Sequence, residues 1–206
     1  MPNPKLVFWE VDTQADFMLP GGKLYVSGAE KLLPNLRKLT DAARQGLVFL
    51  VSHGCYHTPN DPEFKIFPPH CVKGTPGSLY VPEALTEKVA VVPNETATKL
   101  PSDLSQYQQI LLEKQTLDIF ESRHAEALLD RLPKDAAFIV FGVVTEYCVR
   151  LAAKGLLERA RRVFVVQDAI ETLKVEDGAR AIAELKNLGA KFITTDAALA
   201  MANTAL

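Results

Sequence analysis

The chain has little of several things, and each shortage excludes a class. Its 206 residues hold three cysteines, Cys55, Cys71 and Cys148, an odd number too sparse for a disulfide framework. That usage fits a reducing cytosol better than secretion, and the expectation is a cytoplasmic protein. The start, "MPNPKLVFWEVDTQADF", shows no basic segment followed by a long apolar run, so no signal peptide is expected. No apolar stretch approaches the ~18 residues that a membrane span needs. There is no excess of basic charge: the formal net charge is -2, which disfavours nucleic acid or an anionic membrane surface as the partner. A Gly-x-Gly-x-x-Gly turn, a P-loop and a Gly-x-Ser-x-Gly elbow are all missing, which disfavours dinucleotide binding, phosphate cradling and serine-hydrolase chemistry. No organic cofactor is expected.

What is present is ordinary globular material, 48% hydrophobic and 23% charged, enough for one domain over residues 1–206. Apolar runs read as buried strands: "KLVFWEVD", "LVFLVS", "QILLEK", "AAFIVFG", "RRVFVVQDA" and "AKFITTD". Segments of helical spacing alternate with them, among them "EKLLPNLRKLTDAARQG", "RHAEALLDRL", "EYCVRLAAKGLLERA" and "VEDGARAIAELKNLG". Strands apolar on both faces and alternating with helices predict a three-layer α/β/α sandwich around a mostly parallel, six-stranded sheet. Residues 52–82 form a long stretch rich in Pro, Gly, His and Asn, and a loop of that length in a compact domain is functional more often than idle.

Ligands of such sheets bind beyond the carboxyl ends of the strands. The polar residues there are Asp12, then Ser52 and His53, then Lys114, and finally Thr145 with Cys148 a turn later. An acid, a base and a thiol thus emerge on one edge. Cys148 follows a strand and enters a helix, where free N–H groups and the helix dipole favour thiolate, and a lysine nearby would favour it further. A thiolate attacks, a carboxylate shuttles its proton, and backbone N–H groups in the turn hold an oxyanion. Singly, each has an ordinary reading. A lone cysteine is more often an inert small hydrophobe, an aspartate caps turns and a lysine snorkels. Their convergence is the signal.

Four stretches, "FWEVDTQADFMLPGGKLYV", "FPPHCVKGTPGSLYVPEAL", "LLEKQTLDIFES" and "GVVTEYCVRLAAKGLLERARRVFVVQDA", resemble in content and order the isochorismatase-like cysteine hydrolases, nicotinamidases above all. The resemblance covers nearly the whole chain. It implies a triad of Asp12, Lys114 and Cys148, a cis peptide at Val143–Val144, and an oxyanion hole from the N–H groups of Val144 and Cys148. It also implies a divalent metal, zinc by the softness of the donors, held by Cys55, His57 and His70. The family's pattern has an aspartate where Cys55 stands, and spacing alone leaves His53 as a substitute ligand. Phe17, Phe67, Val143 and Tyr147 match positions around the substrate ring, although Phe67 stands where a tryptophan is usual. Asp16 reads equally as a turn cap and as a group orienting substrate or a metal-bound water. Cys71 is expected in the core, and His124 on a solvent-facing helix.

The implied activity is hydrolysis of a small carboxamide through a cysteine thioester. Alternatives are a relative acting on another amide or a ureido compound, and a non-catalytic binding protein on the same fold. Isochorismatase itself, which cleaves a vinyl ether without this triad chemistry, fits Cys148 less well. The family resemblance further implies a homo-oligomer.

Overall fold

The computed structural model describes residues 5–204. Seven strands form one sheet: β1 (Leu6–Val11), β2 (Phe49–Cys55), β3 (Val89–Val92), β4 (Gln109–Lys114), β5 (Ala137–Val143), β6 (Arg162–Glu171) and β7 (Lys191–Ile193). Their spatial order is β3-β4-β2-β1-β5-β6-β7, and every pairing is parallel. The expected parallel α/β sandwich is found, with one strand more than six. The extra strand, β3, lies at the edge. Its two inward residues, Ala90 and Val92, are buried while Val91 is exposed, so it lacks the continuous apolar run that marks the central strands.

The helices are α1 (Ala15–Met18), α2 (Leu33–Arg44), α3 (Ala125–Asp130), α4 (Arg150–Glu158), α5 (Val175–Asn187) and α6 (Thr195–Thr204). α2 opens with Pro34, whose missing N–H costs nothing at that position, and turns Leu36, Leu39 and Ala43 inward. Two apolar clusters fill the layers. Leu6 and Phe8 point to the side of α2 and α6, and Val7, Trp9 and Val11 to the side of α3 and α4. This alternation along β1 buries both sheet faces. No helix of the described residues is long and apolar enough to cross a membrane.

The central strands end together on one edge. β2 runs beyond its apolar portion through Ser52, His53 and Gly54 to Cys55, all buried. Ser52 therefore lies within the sheet rather than at its edge, and its hydroxyl donates to Glu10 at 2.6 Å. The edge position on β2 belongs to Cys55, paired in register with Lys114 of β4.

Candidate active site

Asp12 sits just past β1 with φ 50, a left-handed conformation uncommon outside glycine and best tolerated by Asp and Asn. Its N–H donates to the His53 carbonyl at 2.9 Å, which aims the side chain across the strand ends. Lys114 closes β4 with no solvent exposure. Its Nζ lies 3.0 Å from Asp12 Oδ2 and 3.6 Å from Cys148 Sγ. Asp12, Lys114 and Cys148 thus meet around one ammonium. Burial alone would lower the lysine's proton affinity, but Asp12 first, then Cys148 and Cys55, raise it well above the ordinary value. The ammonium stays charged.

Cys148 occupies a π-helical turn, Thr145–Val149, that leads into α4. Such one-turn bulges recur at functional sites. A cis peptide joins Val143 and Val144 immediately before it. The expected lowering of the thiol's pKa is reversed: burial, followed by the adjacent Asp12 carboxylate, pushes it well above the usual range, against the pull of Lys114. Loss of water outweighs the lysine and the helix terminus. The resting group is a thiol beside a carboxylate able to take its proton.

A second group lies alongside. Cys55, His57 and His70 each bring a ligand atom to within 4.8 Å of the others. His70 Nδ1 bonds the Pro68 carbonyl at 2.8 Å, so that nitrogen carries the proton and Nε2 offers a lone pair. His57 Nδ1 faces Asp61 Oδ2 at 3.1 Å, the carboxylate partner that orients metal-binding imidazoles. Both His57 ring nitrogens are buried without a hydrogen bond. Glu63 Oε1 stands 3.9 Å from His57 Nε2 and 3.8 Å from His70 Nε2. A thiol and two imidazoles around one point, with a carboxylate close to both imidazoles, fit a zinc-type donor set. Burial pushes the Cys55 thiol up to about 12, so Cys55 would ligate only by losing its proton to a bound ion. Its sulfur also accepts from Lys114 Nζ at 3.0 Å and so links the two groups.

His53 stands apart from this set. It is fully buried, with Nδ1 3.8 Å from Asp12 Oδ1 and its ring against Trp9, and burial holds its pKa at about 3, leaving it neutral. Asp16 accepts from the N–H groups of Cys71 at 2.7 Å and Lys23 at 3.0 Å, tying two loops together. Cys71 is buried, and His124 precedes α3 half-buried rather than exposed.

Between the two groups opens a cleft of about 350 Å³, counting its mouth. Phe17, Phe67, Val143 and Tyr147 all line it, with the Phe67 and Tyr147 rings edge to face at 5.8 Å. Sequence reasoning missed Leu24, Glu63, Leu117 and Leu173, which also line it. It missed Gln14 as well, whose amide donates to the Cys55 carbonyl at 2.7 Å and accepts from its N–H at 2.8 Å. That clamp fixes the end of β2. Gln14 lay within a quoted motif, whereas nothing around Glu63 or Leu173 distinguishes them from other loop residues.

The isochorismatase domain family matches residues 6–197. The chain belongs to this family. Among solved structures, the pyrazinamidase of Pyrococcus horikoshii in complex with zinc is similar at 27% identity and TM-score 0.73, covering 93% of this chain and 99% of that one. The pyrazinamidase/nicotinamidase of Streptococcus mutans is 25% identical at TM-score 0.72, covering 91% and 99%. The N-carbamoylsarcosine amidase of Thermoplasma acidophilum, at 23% identity and TM-score 0.70 over 92% and 96%, shares the fold. Curated protein sequences give no match.

Proposed function

We propose that the protein is a cysteine amidase of nicotinamidase type, hydrolysing a small, neutral, flat carboxamide to acid and ammonia. The observation that carries this reading is the meeting of Asp12, Lys114 and Cys148 at the floor of an aromatic and aliphatic cleft. Asp12 takes the thiol proton as Cys148 attacks the carboxamide carbon. The N–H groups of Val144 and Cys148 hold the oxyanion. Asp12 returns the proton to the departing ammonia, and water, activated by the same carboxylate, hydrolyses the thioester to restore the thiol. Lys114, 3.0 Å from Asp12 Oδ2, orients that carboxyl beside the sulfur.

Cys55, His57 and His70, with Glu63, would hold a divalent ion at the far side of the cleft. Such an ion supplies a coordination position for a ring nitrogen of the substrate. The set is softer than one with an aspartate, which favours zinc.

The cleft also separates two substrate classes. Among the described residues neither arginine nor lysine lines it, and Lys114 behind it is already paired with Asp12. An N-carbamoyl amino acid carries a carboxylate that asks for a cation, and a neutral aromatic amide does not. Ammonia release from nicotinamide, pyrazinamide and N-carbamoylsarcosine by the zinc-loaded protein tests the reading. Release from the first two is expected, and release from the third alone would overturn it. The cytoplasmic location and the homo-oligomer belong to the same reading.

A further inference from the structure

The turn that carries Cys148 also holds down one wall of the cleft. Glu146 is buried. Its Oε1 accepts from the N–H groups of Leu173 at 3.0 Å and Lys174 at 2.9 Å, and its Oε2 accepts from the Thr172 hydroxyl at 2.6 Å. Beside it, the Thr145 hydroxyl donates to the Glu171 carbonyl at 2.7 Å. Two successive residues of the nucleophile turn therefore grip four successive residues, 171–174, where β6 passes into α5.

Leu173 lines the cleft yet is 40% exposed. Side-chain packing does not hold it in place, since much of it faces solvent. Its position comes through its backbone N–H and that of its neighbour, both bonded to one carboxylate. Hydrogen bonds to an ionised acceptor are shorter and stronger than neutral ones. The two N–H groups belong to the segment just before α5 rather than to its first turn, so the carboxylate fixes the connection itself. That connection is also a wall of the cleft that Cys148 faces.

We infer that Leu173 sets the width of molecule that reaches Cys148, and that Glu146 is the positioning residue that fixes it. For its substrate this rests on the amidase reading: a single-ring carboxamide passes and a fused bicyclic one is turned away. The width limit itself is a property of access to the thiol and can be read without turnover.

The test uses Leu173→Ala, Glu146→Ala and Glu146→Gln beside wild type. Alkylation of Cys148 by iodoacetamide and by its wider N-naphthyl analogue is followed at the level of the Cys148 peptide by mass spectrometry. In parallel, kcat/KM is measured for nicotinamide and quinoline-3-carboxamide. The ratio of wide to narrow is expected to rise about tenfold or more in Leu173→Ala and in Glu146→Ala, the scale on which apolar pockets discriminate. Glu146→Gln keeps an acceptor for the two N–H groups and should return the ratio toward wild type, a rescue that a merely electrostatic role would not give. An unchanged alkylation ratio in Leu173→Ala overturns the inference. A rise in Leu173→Ala without one in Glu146→Ala overturns the positioning role. Leu173→Ala keeps the width limit testable should Glu146→Ala fail to fold, and Glu146→Gln together with Thr172→Val then probes the clamp. If the alkylation ratios shift as expected while no amide is hydrolysed by wild type, the width limit stands and the amidase reading falls.

Discussion

The Lys114 ammonium and the Asp12 carboxylate lie 3.0 Å apart with essentially no exposure to solvent. Burying the two together is tolerable only because each neutralises the other. Removing one partner is therefore costly for the fold as well as for chemistry. Asp12→Asn is expected to lose about 3–5 kcal/mol of unfolding free energy by leaving a buried ammonium unpaired. Its kcat should fall by about 10²–10⁴, the usual contribution of a general base. The double variant Asp12→Asn/Lys114→Met should recover much of the stability and none of the activity. Chemical denaturation and steady-state ammonia release read the two effects separately.

Cys55 makes a second claim testable by colour. Cobalt(II) bound through a thiolate shows a near-ultraviolet charge-transfer band that oxygen and nitrogen ligands do not give. The band is expected in wild type and lost in Cys55→Asp, which should still bind the ion through the two histidines. Asp61→Asn, which changes the group facing His57 Nδ1 while keeping an oxygen able to accept from the Glu63 N–H, should weaken zinc binding by about 10–100-fold. Titration calorimetry measures it.

Glu10 is fully buried, and desolvation lifts its carboxyl from 4.5 to about 8, against the lowering by Ser52 and Thr13. The native state therefore holds a proton that the unfolded chain gives up. Between these two values the unfolded state binds fewer protons, so stability falls as pH rises, by up to about 1.4 kcal/mol per unit. The contribution is fully present below 4.5 and lost once pH passes 8. Glu10→Gln should flatten this slope, giving a smaller drop in Tm than wild type between neutral and alkaline pH. An equal drop would mean that Glu10 is not the group titrating.

Gly142 precedes the cis peptide with φ 115, and a Cβ there would strike the Val11 carbonyl. Gly142→Ala should therefore both destabilise the fold and displace the Cys148 turn. A loss of several degrees in Tm, together with slowed alkylation of Cys148, is the expected pair of results.

Much of this architecture was legible in the sequence because the central strands are apolar on both faces. Runs such as "AFIVFG" can only be buried, and their ends place Asp12, Lys114 and Cys148 on one edge. β3 escaped because an edge strand with one exposed face, as at Val91, carries a weak pattern. The end of β2 escaped because Ser52 and His53 are polar, and only the bond to Glu10 shows why they are buried. α6 went unread, being Ala-rich with a weak amphipathic pattern. At the site, residues on the strand ends and residues that the family pattern marks were found, the loop residues His57, Phe67 and His70 among them, while Glu63 and Leu173 were not, because they carry neither a period nor a place in that pattern. The direction of the Cys148 shift was misread for a related reason: the sequence announces a helix start and a lysine, but not how completely the thiol is removed from water.

The central claim is that Cys148 carries the acyl group. Rapid quenching of the zinc-loaded protein with nicotinamide, followed by mass spectrometry of the Cys148 peptide, tests it most directly. The account predicts a nicotinoyl thioester on Cys148 in wild type that is absent from Cys148→Ala, with ammonia release abolished in the variant. Ammonia release at wild-type rate from Cys148→Ala would contradict it.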